Sequence, residues 1–455
     1  MSAGPDARVL RTMGRAAVAG TLAVLALEEP AAAHQVGNGA MPAPPWLLAY
    51  LGAFAVLATA LVLRSAWPRA RFAGPWSEEE ATAGASSAAV RPIPPPPPVG
   101  VGNVVGIGLL ALVILAAVVG PDTGAANIAP VAVLVVWWVG LPLAALVAGD
   151  VMRAMNPFVG VVRLLERARR AAPARADAAP TWVPAAFLFA FVWFFVAYHR
   201  PGSPRALAAF LGLYCLAAVG AGLRWGTRWL ATGEGFGALS AAVSTVAPIR
   251  RSPAPAGTAA LMVVWLGSVV FDAFASTPFW EDVVVGATGW DRTLRSTAGL
   301  VWLTAVVAGL YLGALVVADR WAARRPGEAR LGVLDLRARM GVALVPVALA
   351  WFVAHDLTLL LFEGQNFVAL LSDPVGRGWD LVGTISQTVD YGLPQAGWVP
   401  WVQVTAVVGG HVAALVVAHD AALGLRRRSV AAVITAGLAL SLAVSVAAAA
   451  LLVLR

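Results

Sequence analysis

Hydrophobic runs long enough to cross a membrane alternate with arginine-rich segments along nearly the whole chain. The hydrocarbon core of a bilayer is about 30 Å thick, so a helix rising about 1.5 Å per residue needs about 20 apolar residues to cross it. Only 12% of the 455 residues are charged, whereas soluble domains carry about 25%. The pattern predicts an all-α, polytopic transmembrane helical bundle in contact with membrane lipid.

The sequence predicts about ten spans, which form a single multi-pass membrane domain over residues 34–455. No loop between them is long enough to fold as a substantial soluble domain. The predicted spans are 46–63, 100–119, 129–148, 182–198, 206–223, 257–275, 297–318, 340–362, 398–418 and 430–452.

Residues 1–33 have the three parts of a secretory signal peptide. Arginines come first, an apolar stretch follows at 16–27, and an alanine triplet at 31–33 supplies small residues for cleavage. The apolar stretch is too short to span a membrane comfortably, although an uncleaved signal anchor is the alternative. Cleavage would make His34 the first residue of the mature chain.

The distribution of arginine predicts the orientation. The chain has no lysine, and its net charge of +8 comes from 32 arginines. Of these, 23 lie in alternate loops, at 64–99, 149–181, 224–256, 319–339 and 419–429. Arginine beside spans marks the cytoplasmic side, so both mature termini are expected outside the cell membrane. Because the arginines serve as topology signals, the charge gives no support for nucleic-acid binding.

Four of the five histidines lie in or beside predicted spans: His199, His355, His411 and His419. Ionisable side chains are costly in lipid, so each one within a span is a candidate functional residue. His419 and Asp420 precede three arginines and are expected at the membrane interface. The fifth histidine, His34, is a weaker metal candidate, because a terminal amine and an imidazole can chelate copper together.

His355, Asp356, His411 and Asp272 form the predicted functional cluster, placed in the outward-facing part of the bundle. Imidazole and carboxylate groups can hold a divalent metal ion, with His355, His411 and Asp272 as the ligands, or activate a water molecule. The alternative is structural, since a buried membrane histidine can simply bond to a backbone carbonyl. No metal-binding spacing such as HExxH is present.

Residues 363–399 form the longest predicted external loop, rich in polar and turn-forming residues. Such a loop is expected to be either a binding lid or a plain connector. Within the spans, Gly102 and Gly106 are spaced so that a neighbouring helix can approach closely, and Gly409-Gly410 offers a second such contact.

Short motifs over most of the chain match one known pattern. They are Ala33-His34, Pro44-Pro45-Trp46-Leu47, Val139-Gly140-Leu141-Pro142, Gly149-Asp150, Asn156-Pro157, Phe271-Asp272, Val353-Ala354-His355, Gly364-Gln365, Ser372-Asp373-Pro374, Asp390-Tyr391-Gly392, Gly410-His411-Val412 and Ala418-His419-Asp420. On these the chain resembles a family of bacterial multi-pass membrane proteins, common in actinobacteria and frequently labelled fenitrothion hydrolase. Glu363 departs from the more neutral residue expected before Gly364.

The resemblance implies hydrolysis of an organophosphate triester, with metal assistance, on a lipophilic small molecule that reaches the site from the membrane. His355, Asp356, Asp272 and His411 are the residues it offers for that chemistry.

Two other functions remain open. A secondary transporter or ion-translocating protein would need a polar path across the membrane, and His355, His411 and His419 mark three depths of one. A structural subunit of a membrane complex would use the same residues only to hold helices together. The absence of a nucleotide-binding motif excludes an ATP-driven pump within this chain.

Overall fold

The computed structural model describes residues 44–72, 99–169, 180–246, 257–324, 333–393 and 397–423, together with 435, 437 and 438. The predicted signal peptide, His34 and nearly all of the predicted tenth span lie outside these residues.

Helices joined by turns and loops account for these parts of the chain, and they contain no strand. The helices are α1 (Pro45–Ala66), α2 (Val101–Val119), α3 (Ile128–Ala148), α4 (Val151–Met155), α5 (Pro157–Arg169), α6 (Val183–Val196), α7 (Pro204–Trp225), α8 (Thr227–Gly233), α9 (Gly235–Val243), α10 (Thr258–Ala275), α11 (Pro278–Val284), α12 (Gly289–Ala322), α13 (Val333–Met340), α14 (Leu344–Leu370) and α15 (Trp398–Leu423).

Eight of the helices within those ranges are long and apolar enough to cross a membrane: α1, α2, α3, α7, α10, α12, α14 and α15. They coincide with eight predicted spans and confirm the all-α, multi-pass architecture. The predicted span at 182–198 corresponds to α6, which has only 14 residues. A turn at 197–203 ends that helix early, and Ser203 then caps α7 by accepting a hydrogen bond from the Ala206 amide.

The centre of the bundle is built from α3, α10 and α14, each at least half buried over its apolar stretch. By contrast, α2 and α12 lie at the periphery, where most of their surface is available to lipid. The three central helices meet through aromatic rings. Phe352 lies between Trp138 and Trp265, with ring centroids 5.2 and 5.1 Å apart.

Hydrogen bonds between side chains show which helix ends lie at the same end of the bundle. At one end, Trp67 after α1 donates to Asp420 near the end of α15 over 3.0 Å. The predicted arginine-rich loops follow the ends of α1, α3, α7 and α12, so we call this the arginine-rich end. At the opposite end, Ser203 before α7 donates to Asp122 after α2 over 2.9 Å.

Two spans are longer than the sequence predicted. α12 has 34 residues against the predicted 297–318, and α14 continues to Leu370 against a predicted end at 362. The prediction that a loop begins at 363 is therefore wrong. Polar residues continue the helix because they bond along it: Gln365 donates to the Leu361 carbonyl over 2.8 Å, and Asn366 donates to Glu363 over 3.2 Å.

Three of the predicted arginine-rich loops also contain helices, and one of them, 319–339, includes most of α13 (Val333–Met340). The segment 149–181 forms α4 and α5, and α5 is amphipathic, with its apolar face on α2 and α7. The segment 224–256 forms α8 and α9, and every residue of α9 is buried.

The close contact predicted at Gly102 and Gly106 is confirmed. A methyl group on Gly102 would lie 2.5 Å from the carbonyl oxygen of Ala154, and one on Gly106 would overlap that of Met155. The neighbour is therefore the backbone of α4, which can approach α2 because these positions lack a side chain.

Gly106→Ala should lower the stability of the bundle by about 1–3 kcal/mol, since a backbone carbonyl cannot move away as a side chain could. Gly108→Ala is the matched control, because nothing lies within 4 Å of the added methyl group and alanine favours helix. Thermal melting of both variants in detergent measures the difference. Equal melting temperatures would contradict the packing described here.

Candidate functional site

Asp272 and His355 form an ion pair between two central helices. Asp272 lies three residues before the end of α10, His355 lies within α14, and His355 Nε2 is 2.9 Å from Asp272 Oδ2. A carboxylate can only accept, so we place a proton on Nε2. The side chain of His355 remains 24% exposed and that of Asp272 36%, which leaves the pair at the edge of the packed core.

Asp356, the next residue, borders the same region. It is 4% exposed, and with Asp272 it lines a narrow pocket of about 200 Å³, counted with its open mouth. His355 stands behind Asp272 and is not part of the pocket wall. The pocket therefore has two carboxyl groups, one paired with an imidazole and one without such a partner.

The remaining walls of the pocket come from three helices, α3, α6 and α10, and are mainly apolar. They consist of Trp138, Phe195, Val196, Ser268 and Val269. Trp138 follows directly after a π-helical stretch at Ala132–Trp137, and Pro142 interrupts the hydrogen bonding one turn later. Such irregular turns rotate the side chains that follow them and are frequent at functional sites. Here the irregular turn lies next to a pocket wall.

His411 lies away from the other three predicted residues. It is fully buried, and its Nδ1 is 2.7 Å from the carbonyl oxygen of Val407 in its own helix. On α15, Gln403 is level with the pocket region because it donates to Ala354 over 2.8 Å. Eight residues separate Gln403 from His411, or about 12 Å along the helix. The structure thus brings together Asp272, His355 and Asp356, but not His411.

The close contact predicted at Gly409-Gly410 involves only the second glycine. A methyl group on Gly410 would lie 2.6 Å from the carbonyl oxygen of Pro346, whereas Gly409 has nothing within 4 Å. Gly410 therefore lets α15 pack directly on α14 next to His411.

No group of three or more His, Cys, Asp or Glu side chains suited to a metal ion occurs in the part of the chain that the structure describes. The ligand set proposed from the sequence, His355, His411 and Asp272, does not converge, because His411 is a full helical turn or more away. His34, the other metal candidate, lies outside the described residues. A divalent metal therefore stays a prediction from the sequence.

His419 and Asp420 form a latch at the arginine-rich end. Asp420 accepts hydrogen bonds from Trp67 Nε1 and from the backbone amides of Arg71 and Phe72 at 3.0, 2.6 and 3.0 Å. His419 bonds to the Trp67 carbonyl and to Thr435. These contacts hold the segment after α1 against α15, as a structural role for both residues would require.

The external loop begins after α14 and folds onto its own hydroxyl and carboxyl groups. Ser372 Oγ accepts a hydrogen bond from the Thr384 amide over 2.8 Å. Asp373 accepts from the amides of Arg377 and Gly378. Although burial raises the pKa of Asp373, these amides outweigh it and hold that pKa below its usual value. The loop is thus an ordered structure, and its role in binding stays a prediction.

Glu234 is a buried acidic residue that the sequence analysis missed. It lies between α8 and α9 with no exposed surface, and it accepts hydrogen bonds from the Tyr214 hydroxyl and from the Phe236 and Gly237 amides. Tyr214 is near the middle of α7. Because α8 starts at the arginine-rich end, α8 and α9 form a re-entrant hairpin whose turn, at Glu234, reaches the depth of Tyr214.

One signal for the hairpin was present in the sequence. Residues 233–237 read Gly-Glu-Gly-Phe-Gly inside a segment that otherwise has the apolar composition of a core. Glycine is needed there because a methyl group on Gly235 would lie 2.9 Å from the Leu188 backbone nitrogen. The arginines at both ends of the segment instead favoured an exposed loop.

Glu234→Ala should lower stability by about 3 kcal/mol or more, because it leaves a hydroxyl and two amides unpaired where water cannot replace the carboxylate. Glu234→Gln should lose less, since its amide oxygen still accepts. Glu281→Ala on α11, a half-buried position, is the control and should stay within about 0.5 kcal/mol of the wild type. Thermal melting in detergent compares all three, and an unchanged Glu234→Ala would refute the buried role.

Comparisons of the chain with protein-family models, with curated proteins and with solved structures give no match.

Proposed function

We propose that this protein is a membrane hydrolase that cleaves a lipophilic ester in the pocket lined by Asp272 and Asp356. The observation that carries the proposal is the pairing of Asp272 with His355 over 2.9 Å beside a second carboxyl group that has no such partner. Two acids in different surroundings can divide the tasks of base and acid in one reaction. The resemblance in sequence supports a phosphotriester as the ester cleaved.

The two carboxyl groups have different tasks in this reaction. Asp356 takes a proton from a water molecule as the water oxygen attacks the phosphorus or acyl carbon. The bond to the leaving oxygen breaks, and that oxygen receives the proton that His355 Nε2 donates to Asp272 and Asp272 passes on. The reaction consumes one water and releases an acid and an alcohol, and the proton on Asp356 restores the Asp272–His355 pair.

The position of the pocket suits a substrate dissolved in lipid. Asp272 is about 5 Å below the end of α10, by helix rise, and the walls are aromatic and aliphatic. By the arginine distribution, we infer that the arginine-rich end faces the cytoplasm of the cell and that the pocket opens toward the outer half of the membrane.

Asp356→Asn and Asp272→Asn should each reduce hydrolysis of a lipophilic phosphotriester by about 10²–10⁴-fold, the usual contribution of a general acid or base. His355→Gln should also reduce it, by removing the proton supply to Asp272. Turnover by purified protein in lipid nanodiscs is the measurement.

His199→Gln is the matched control, because His199 lies at the same end of the bundle and bonds to Thr293, outside the pocket. It should retain wild-type turnover. Loss of activity in His199→Gln equal to that in His355→Gln, or full activity in both Asp variants, would count against the proposed site.

Proton or ion translocation is the second candidate, supported by buried ionisable residues at other depths. Glu234 and His411 are both completely buried and lie nearer the arginine-rich end than Asp272. In transporters, helices broken near the membrane midplane commonly surround the site of the transported ion, and α8 and α9 have that form.

Translocation predicts proton flux in proteoliposomes that carry a pH-sensitive dye. Proton flux should fall at least tenfold in both Glu234→Gln and Asp272→Asn, because a proton path across the membrane needs ionisable groups at both depths. Glu281→Gln, outside both sites, serves as the control. Flux equal to that of empty liposomes would exclude this candidate under the conditions used.

A further inference from the structure

The carboxyl group of Asp356 accepts no hydrogen bond and forms no ion pair in the part of the chain described, although only 4% of the residue is exposed. Asp356 lines the pocket that Asp272 also lines. A buried carboxylate normally has several donors, because it loses the hydrogen bonds that water would give it. Asp356 therefore has an unfilled requirement for a donor, and the pocket is where a donor can approach.

The side chains around the pocket indicate the charge of the group that donates to Asp356. Asp272 is paired with His355, whereas no basic side chain lines the pocket beside Asp356. The arginines at this end with described contacts bind elsewhere. Arg295 pairs with Asp291 over 3.0 Å, and Arg200 lies 4.0 Å from Asp122.

Aromatic walls add a second preference for a cation. Trp138 and Phe195 both line the pocket, and their ring centroids are 6.3 Å apart. The face of an aromatic ring carries negative charge and attracts ammonium groups, most strongly where water is excluded. Carboxylate and ring faces together favour a group that is both cationic and a hydrogen-bond donor, which describes a protonated amine.

We propose that this pocket binds the protonated amine headgroup of a lipophilic substrate, with Asp356 as its hydrogen-bond acceptor. The inference rests on the proposed function in using the same pocket, and it names the class of substrate. The enclosed space of this pocket is about 10 Å³, which is room for about one water-sized group. The pocket holds the amine, with the ester group at its open mouth beside Asp272 and the apolar remainder of the substrate extending toward lipid.

Binding of hexylammonium chloride and of 1-hexanol tests the preference, because the two differ mainly in the charged headgroup. Calorimetric titration of protein in zwitterionic nanodiscs should show at least tenfold tighter binding of hexylammonium. The same nanodiscs with Asp356→Asn give the background from lipid and should show no preference. Asp356→Glu keeps the charge and should keep the preference, which separates loss of the acceptor from loss of the fold.

Two results would overturn the inference: equal affinity for the two probes, or a preference for hexylammonium that survives in Asp356→Asn. Melting curves show that each variant used in the comparison is folded.

Hydrolysis of two phosphotriesters, one with an aminohexyl chain and one with a hexyl chain, separates this inference from the proposed function. Amine-selective binding without hydrolysis of either ester would support the ligand class and refute the hydrolase. Equal hydrolysis of both esters without amine-selective binding would support the hydrolase and refute the ligand class.

Discussion

Polar groups inside this bundle have to find partners within the protein, because surrounding hydrocarbon offers no hydrogen bonds. Helices meet the requirement for most of the backbone, and side chains meet it where helices break. Asn127 joins the end of α2 to the start of α3, donating to the Ala116 carbonyl over 2.8 Å and accepting from the Ala129 amide over 3.0 Å. Glu234 accepts hydrogen bonds from the Phe236 and Gly237 amides at the turn of the re-entrant hairpin. Against this background, a buried carboxyl without a donor is unusual and marks the pocket as a place for a ligand.

The re-entrant hairpin also supports the pocket from the side of the arginine-rich end. α9 packs on α3, α6, α10 and α14, the four helices that supply the pocket walls. Its Phe236 contacts Phe191 with ring centroids 4.9 Å apart, and Phe191 contacts Trp138 at 5.1 Å. Rings in such contact restrict one another's positions, since protein interiors are closely packed. The orientation of Trp138 in the pocket therefore depends on a segment that the sequence alone assigns to a loop.

Some of the candidate site could be predicted and some could not, and the difference has a physical cause. Asp272 and His355 were recognisable because ionisable residues inside apolar helices are costly and thus have a reason to be there. His411 passed the same test, yet it bonds to its own helix at Val407. The energetic cost of an ionisable side chain in lipid shows that the residue needs a partner. Which residue becomes that partner depends on how each helix is rotated about its axis and shifted along it. Glu234 failed the test because the arginines at both ends of its segment assigned it to a loop, whereas in space it is completely buried.

The sequence by itself determined that the chain is an all-α membrane protein, since the length of an apolar helix needed to cross a bilayer is set by the thickness of hydrocarbon. It also determined where the arginines fall relative to the spans. Only the tertiary structure decided that Asp272 meets His355 across 83 residues, that α14 continues to Leu370 and that residues 227–243 enter the bundle. Those outcomes depend on which helix faces meet, and that is settled by packing between distant segments, which no local pattern encodes.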